Sequence, residues 1–178
     1  MPLRRALTAL LLSGVLLVVP ACGGDSDGSA SGGTASPTSS VQKQKLAKTR
    51  FVANAGLAAG ATYQWIVKPY REGKFKKDAD GRKLTLVKAG LAGAFAYNRL
   101  KAASENAKGD PTLSKLVAPL TAGIDSLKDL PAKLRSGQGT DDIVGTFQDT
   151  ISGVKSAGED AGAKVTDKVP SLSQLSGG

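Results

Sequence analysis

Residues 82–108 read RKLTLVKAGLAGAFAYNRLKAASENAK, and this stretch decides the fold class. Large apolar residues recur along it at spacings of three or four, as they do on one face of a helix. These residues are Leu84, Val87, Leu91 and Phe95. The turn-like pair Asp80-Gly81 precedes the stretch, and Gly109 follows it as a C-terminal cap. The sequence therefore predicts one long helix over residues 82–108.

The first and last segments of the remaining chain have a similar helical character. The first covers residues 41–67 and is expected to end before Pro69, because the residue before a proline disfavours helical backbone. The last opens at Thr140, which suits the N-cap position, and carries apolar residues at helical spacing as far as Val165. Pro170 is expected to stop it.

A third segment lies between these two. It opens at Asp110-Pro111, where the aspartate suits the N-cap and the proline suits the first helical position. Its apolar residues fall on one face as far as Leu134, but Pro119 and Pro131 should kink or split it. The turn Gly137-Gln138-Gly139 is expected to end it.

Four helical segments joined by short loops predict an all-α fold, an antiparallel bundle of about four helices over residues 41–170. The polar residues 171–178 are expected to form a disordered tail. Pairs of glycines lie about one turn apart in two of the segments, where small side chains let helix backbones approach closely. These pairs are Gly56 with Gly60 and Gly90 with Gly93.

The start of the chain has the features of an export signal. Arg4 and Arg5 precede a mostly apolar run that ends at Val19-Pro20-Ala21-Cys22. The run is too short for a membrane span of about 20 residues. An aliphatic residue, a small residue and then the only Cys of the chain resemble the lipobox of bacterial lipoproteins. The resemblance implies a signal peptide over residues 1–21 and diacylglycerol on Cys22. It also implies anchoring at the outer face of the bacterial cytoplasmic membrane.

Residues 22–40 connect this predicted anchor to the helical segments. After the cysteine they contain only Gly, Ser, Thr, Ala, Asp and Pro, so no large apolar side chain is present to stabilise an ordered structure. They are expected to form a flexible tether with a reach of about 24 Å. The Ala- and Gly-rich remainder resembles, in composition alone, uncharacterised secreted helical proteins of high-GC Gram-positive bacteria, and this resemblance implies no activity.

The composition argues against most enzyme classes. The chain has no His and one Cys, so it contains neither a Ser-His-Asp triad nor the usual ligands of structural zinc. The run Asp78-Ala79-Asp80-Gly81 resembles the start of a calcium loop but lacks the later ligands. Asp141 and Asp142 are adjacent, and adjacent helical residues point apart. We expect a non-enzymatic protein without metal or cofactor.

The chain carries a net charge of +9, and its densest basic cluster follows the first helical segment. Aromatic residues are interleaved with this cluster over residues 65–77, WIVKPYREGKFKK. The candidate residues for binding an anionic surface are Lys68, Arg71, Lys74, Lys76, Lys77, Arg82 and Lys83. The candidate aromatic contacts are Trp65, Tyr70 and Phe75.

This basic aromatic segment has two interpretations. In the first, the aromatic side chains pack in the core and the lysines solvate a long loop. In the second, the segment binds anionic lipid or an acidic cell-wall polymer. The predicted function is a surface-anchored lipoprotein with a non-enzymatic helical interaction module. The alternative is a carrier that holds a small apolar ligand between its helices, near Trp65, Leu91 and Phe95. Nucleic acid is not an expected partner of an exported protein, and the sequence identifies no protein partner.

Overall fold

The computed structural model describes residues 40–177, and in this part of the chain it contains helices and no β-strand. The predicted all-α fold is confirmed. The α-helices are α1 (Ser40–Thr62), α2 (Lys68–Arg71), α3 (Arg82–Ala107), α4 (Pro111–Ser114), α5 (Val117–Asp125), α6 (Leu130–Ser136), α7 (Thr140–Asp160) and α8 (Leu172–Ser176). A π-helical turn, Tyr63–Val67, joins α1 to α2. The predicted signal peptide, Cys22 and nearly all of the predicted tether lie outside the described residues.

The first helical segment does not end before Pro69, as the sequence predicts, but continues to Arg71. The π-helical turn explains the difference, because the amide of Lys68 bonds back five residues to the carbonyl of Tyr63. A new α-helix then begins, and Pro69 falls within its first two positions. A proline in the first turn removes an N–H that has no intrahelical partner, so the chain stays helical through it.

Helix α3 forms where it is predicted, but a different face of it is buried. Leu84 and Val87 remain 60% and 44% exposed, and of the predicted stripe only Phe95 is fully buried. The buried face is made mainly of small residues, which let the neighbouring helices approach closely. Its members are Leu86, Ala89, Gly90, Ala92, Gly93, Ala96, Leu100, Ala103 and Ala107.

The third predicted segment is divided into the short helices α4, α5 and α6. Asp110 caps α4 as predicted and accepts hydrogen bonds from the amides of Thr112 and Leu113, at 3.0 and 2.9 Å. Pro131 lies in the first turn of α6 rather than at a kink, because a proline is tolerated there. Gly137 ends α6 in the left-handed conformation.

Helix α7 begins one residue earlier and ends several residues sooner than the sequence predicts. Gly139 occupies the N-cap position, and Thr140 is the first helical residue rather than the cap. The helix ends at Asp160, where Gly162 has a positive φ of 65° and reverses the chain. Val165 is buried, as an apolar residue of the predicted helix would be, but it lies beyond the helix.

The non-helical residues 163–170, here called the strap, lie along α1. Thr166 lies against Gly56, and Lys168 lies against Gly60. The strap therefore advances two residues where α1 advances four. Four helical residues span about 6 Å, and two residues cover this distance only when the chain is extended. The amide of Lys168 donates a 2.8 Å hydrogen bond to the carbonyl of Gly56. The first glycine pair therefore accommodates the strap rather than a neighbouring helix.

The last residues form a short helix rather than the predicted disordered tail. Ser171 and Gln174 make reciprocal hydrogen bonds that cap the start of α8, a capping box. Leu175 is buried, and α8 packs on α3. A single apolar residue with a good cap is sufficient to dock one helical turn on an existing surface.

The long helices α1 and α3 form the centre of the packing and run antiparallel. Gly109, just after α3, lies beside Ala47 near the start of α1. At the same end, an ion pair joins Lys48 Nζ to Asp110 Oδ2 at 3.8 Å. Within residues 40–177, no helix has the length and apolarity that a membrane span requires.

The second glycine pair, on α3, meets α6 and α7. Gly90 lies against Pro131 and Arg135 of α6, and Gly93 lies against the ring of Phe147. Three long helices, with short helices in place of the predicted fourth, make up the bundle. This packing fixes the position of α2, the following loop and the start of α3, where the basic residues are concentrated.

Candidate anionic-surface interface

The loop of residues 72–81 between α2 and α3 is held to the domain by Phe75. Its side chain is only 5% exposed, and its ring centroid lies 6.2 Å from that of Tyr70. Arg82 Nε donates a 2.9 Å hydrogen bond to the carbonyl of Phe75. Phe75 and Arg82 thus stabilise the loop, and Phe75 is not presented to a partner.

Trp65 and Tyr70 are half-buried and pack against the core. The indole Nε1 of Trp65 is buried and has no hydrogen-bond partner among the described residues. Each ring therefore has one side in the core and one side at the surface. The interpretation in which the aromatic side chains pack in the core therefore fits Phe75 fully but fits Trp65 and Tyr70 only in part.

The basic residues of the segment, by contrast, are at the surface. All but one of them are exposed, and Arg82 is half-buried. The exposed residues are Lys68, Arg71, Lys74, Lys76, Lys77 and Lys83. They do not form one patch, because all of them except Lys83 are divided between two grooves on either side of the loop.

The first groove lies between the loop and the turn that joins α6 to α7, with a volume of about 660 Å³. Four predicted basic residues line it: Arg71, Lys76, Lys77 and Arg82. The sequence did not predict the residues on its other side, which are Gly137 at the end of α6 and Thr140 and Asp141 at the start of α7. These residues lie about 60 positions later in the sequence than the loop, and the packing of α6 on α3 brings them next to it.

Tyr70 faces Asp141 in this first groove. The hydrogen bond between the Tyr70 hydroxyl and the Asp141 carboxylate raises the pKa of Tyr70 above its ordinary 10.0, and desolvation and the negative charge of Asp141 add to the effect. Because the folded-state pKa is the higher one, the stabilising contribution is present below about pH 10. It is lost as the pH rises through the folded-state value.

Asp141→Ala is expected to lower the pKa of Tyr70 toward 10.0, since the acceptor and its charge are both removed. Ultraviolet titration of tyrosinate measures this shift in a background with Tyr63→Phe and Tyr97→Phe, where Tyr70 alone titrates. Asp142→Ala, the neighbouring exposed carboxylate, is the matched control. An unchanged Tyr70 titration in the Asp141 variant would contradict the assigned contact.

The second groove, of about 360 Å³, lies on the other side of the loop, between the π-helical turn and α3. Trp65, Lys68 and Lys74 line it together with Lys88 and Thr85 of α3, and the carboxylates of Glu72 and Asp80 also belong to its lining. Of the predicted residues, Lys83 lines neither groove. The sequence places Lys88 in the apolar run of α3, and the structure places it beside Trp65.

Two exposed apolar side chains lie beside lysines on the surface of α3. Leu84 and Val87 belong to the predicted apolar stripe but are exposed, because a different face of α3 is buried. Each forms an i, i+4 pair with a lysine, Leu84 with Lys88 and Lys83 with Val87, so the two types of side chain are neighbours on the helix surface. We call this set the basic apolar face. It consists of Trp65, Lys68, Lys74, Lys83, Leu84, Val87 and Lys88.

The residues expected to line a ligand cavity do not lie together. Trp65 is in the second groove, whose lining is mostly charged or polar. Phe95 lies in a separate concavity of about 240 Å³ beside α8. Comparison of the chain with protein-family models, with curated proteins and with solved structures gave no significant match.

Proposed function

We propose that the chain is a surface-anchored lipoprotein whose helical domain is a non-enzymatic module that contacts anionic lipid through the basic apolar face. The observation that carries this proposal is the exposure of Leu84 and Val87, at 60% and 44%, directly beside lysines. Lysines around exposed aliphatic side chains are typical of surfaces that lie in the membrane interface.

The exposed aliphatic side chains favour lipid over a cell-wall polymer. A polyanionic polymer attracts the lysines but offers little apolar environment to Leu84 or Val87. At a membrane interface, partial burial of each side chain contributes about 1 kcal/mol. Each lysine near an anionic leaflet contributes about 1 kcal/mol more.

The predicted tether makes such a weak surface effective. A lipid on Cys22 would hold the domain within about 24 Å of the membrane. Binding of the basic apolar face then becomes an intramolecular event at high effective concentration. Contacts too weak to recruit a free protein suffice to orient an anchored one.

Residues 40–178, without lipid or tether, test this proposal by co-sedimentation with vesicles of phosphatidylglycerol and phosphatidylcholine. We expect binding that weakens with salt and disappears on pure phosphatidylcholine. Replacing Lys68, Lys74, Lys83 and Lys88 by Gln is expected to weaken binding roughly 1,000-fold, since each contributes about 1 kcal/mol. Leu84→Ser with Val87→Ser is expected to weaken it about 30-fold, since the two side chains contribute about 1 kcal/mol each.

The matched control replaces four exposed lysines elsewhere by Gln: Lys115, Lys128, Lys133 and Lys164. It removes the same charge and leaves the basic apolar face intact. Equal loss of binding in the two charge variants would contradict a localised surface. Binding to purified cell wall but not to vesicles would favour the wall polymer instead.

A further inference from the structure

The hydroxyl of Thr62 differs from those of five other helical threonines in the described chain. Thr62 is 2% exposed, and its Oγ1 has no hydrogen-bond partner among the described residues. Other threonines in helices donate to the carbonyl four residues earlier. These are Thr49, Thr85, Thr121, Thr146 and Thr150. A buried hydroxyl left without a partner is costly, so the position of Thr62 calls for a partner.

Thr62 directly precedes the π-helical turn, Tyr63–Val67. Such turns interrupt the regular α-helical hydrogen bonds and occur frequently at functional sites. Arg71, the last residue of α2 beyond this turn, lines the same concavity as Thr62 as well as the first groove. The π-helical turn and the unpartnered hydroxyl of Thr62 are therefore adjacent.

The concavity beside Thr62 has a volume of about 130 Å³. α7 contributes Gln148, Ser152 and Lys155 to it, and the strap contributes Asp167. Lys155 is paired with Asp167 at 2.5 Å, which balances both charges. Arg71 has no carboxylate within 4.0 Å in the part of the chain that the structure describes, so it supplies an unbalanced positive charge.

We propose that this concavity binds a single phosphate group. Its volume of about 130 Å³ is sufficient for one tetrahedral oxyanion. Hydroxyl, amide and cationic donors come from α1, α2 and α7, which suits an acceptor with oxygens in several directions. Thr62 donates to one oxygen, and the guanidinium of Arg71 supplies the charge and a fork of donors.

The phosphate has two sources, free inorganic phosphate and the phosphate of a glycerophosphate headgroup. Calorimetric titration of the purified full chain in a non-ionic detergent distinguishes them, with inorganic phosphate as one probe and glycerol 1-phosphate as the other. Sodium chloride at equal ionic strength is the control for non-specific charge effects. We expect saturable heat with one or both phosphate probes and none with chloride.

Thr62→Val is the decisive variant, because it removes the hydroxyl and keeps the shape. It is expected to weaken phosphate binding about tenfold, as is Arg71→Gln. In phosphate-free buffer the melting temperature of Thr62→Val should equal or exceed that of the wild type, because an unpaired buried hydroxyl has been removed. Thr150→Val, whose hydroxyl is already bonded to Thr146, should bind phosphate as the wild type does.

Absence of saturable phosphate binding would overturn the proposal. Binding that Thr62→Val and Arg71→Gln leave unchanged would overturn it as well, and would assign the Thr62 hydroxyl to water. Saturation by glycerol 1-phosphate alone would support the site and identify a headgroup as the source. Neither Thr62 nor Arg71 belongs to the basic apolar face, so this test and the vesicle test succeed or fail separately.

Discussion

Gly60→Ala is expected to destabilise the domain by about 3 kcal/mol, the upper end for overpacking. A methyl group at this position would overlap the carbonyl of Lys168 and lie 2.7 Å from the amide nitrogen of Val169. These are backbone atoms of the strap, so no side-chain rotation relieves the overlap. The strap would have to leave α1, and its hydrogen bond to Gly56 would be lost.

Denaturant unfolding measures this effect, and Gly153→Ala is its matched control. Gly153 lies within α7, and a methyl group there would meet nothing within 4 Å. Because alanine is the better helix former, this variant should gain about 1 kcal/mol. The two substitutions are chemically identical and should change stability in opposite directions. A Gly60 variant as stable as the wild type would contradict the close contact between strap and helix.

The sequence predicts the presence of the helices better than their contacts. Hydrophobic spacing and caps locate α3 and the start of α4, because these signals are local. The buried face of α3 was predicted wrongly, since Leu84 and Val87 are larger than the alanines that replace them in the core. Close approach of helices favours small residues there, and sequence spacing alone does not reveal which neighbour approaches.

The same reasoning applies to the glycines. Their pairing in the sequence indicates close packing but not its partner. Gly60 is covered by the strap, whose residues lie about 100 positions later in the chain. The end of α7 at Asp160 creates the strap, and the apolar spacing that continues to Val165 conceals this end. An extended segment with alternate buried residues was therefore predicted as helix.

The sequence identifies the basic residues of the candidate site but does not predict how they are arranged. The lysines of the dense basic run are exposed, but the anchoring of the loop by Phe75 divides all of them except Lys83 between two grooves. Lys88 gives a signal that the sequence does carry. A lysine four residues after Leu84 lies on the same helical face, and its presence there argues against a fully buried stripe. Thr62 offers no such signal, because neither its burial nor its lack of a hydrogen-bond partner follows from the spacing of residues in the sequence.

Cys22→Ser is expected to release the protein from the membrane fraction of the cells that make it. The lipobox resemblance predicts a diacylglycerol on this cysteine, and two acyl chains give stable anchoring where one is marginal. Serine retains the size of the side chain but not the thiol that carries the lipid. Fractionation of cells into membrane and soluble parts, at low and high salt, measures the result.

The dependence of membrane association on salt distinguishes binding by the basic apolar face from anchoring by the lipid. Without lipid, any residual membrane association rests on lysines and two apolar side chains, and high salt should abolish it by screening. The variant with Lys68, Lys74, Lys83 and Lys88 replaced by Gln keeps Cys22 and should stay in the membrane fraction at every salt concentration. A Cys22→Ser protein that resists a high-salt wash would contradict lipid anchoring. The domain would then have to hold the membrane by itself, more strongly than four lysines, Leu84 and Val87 account for.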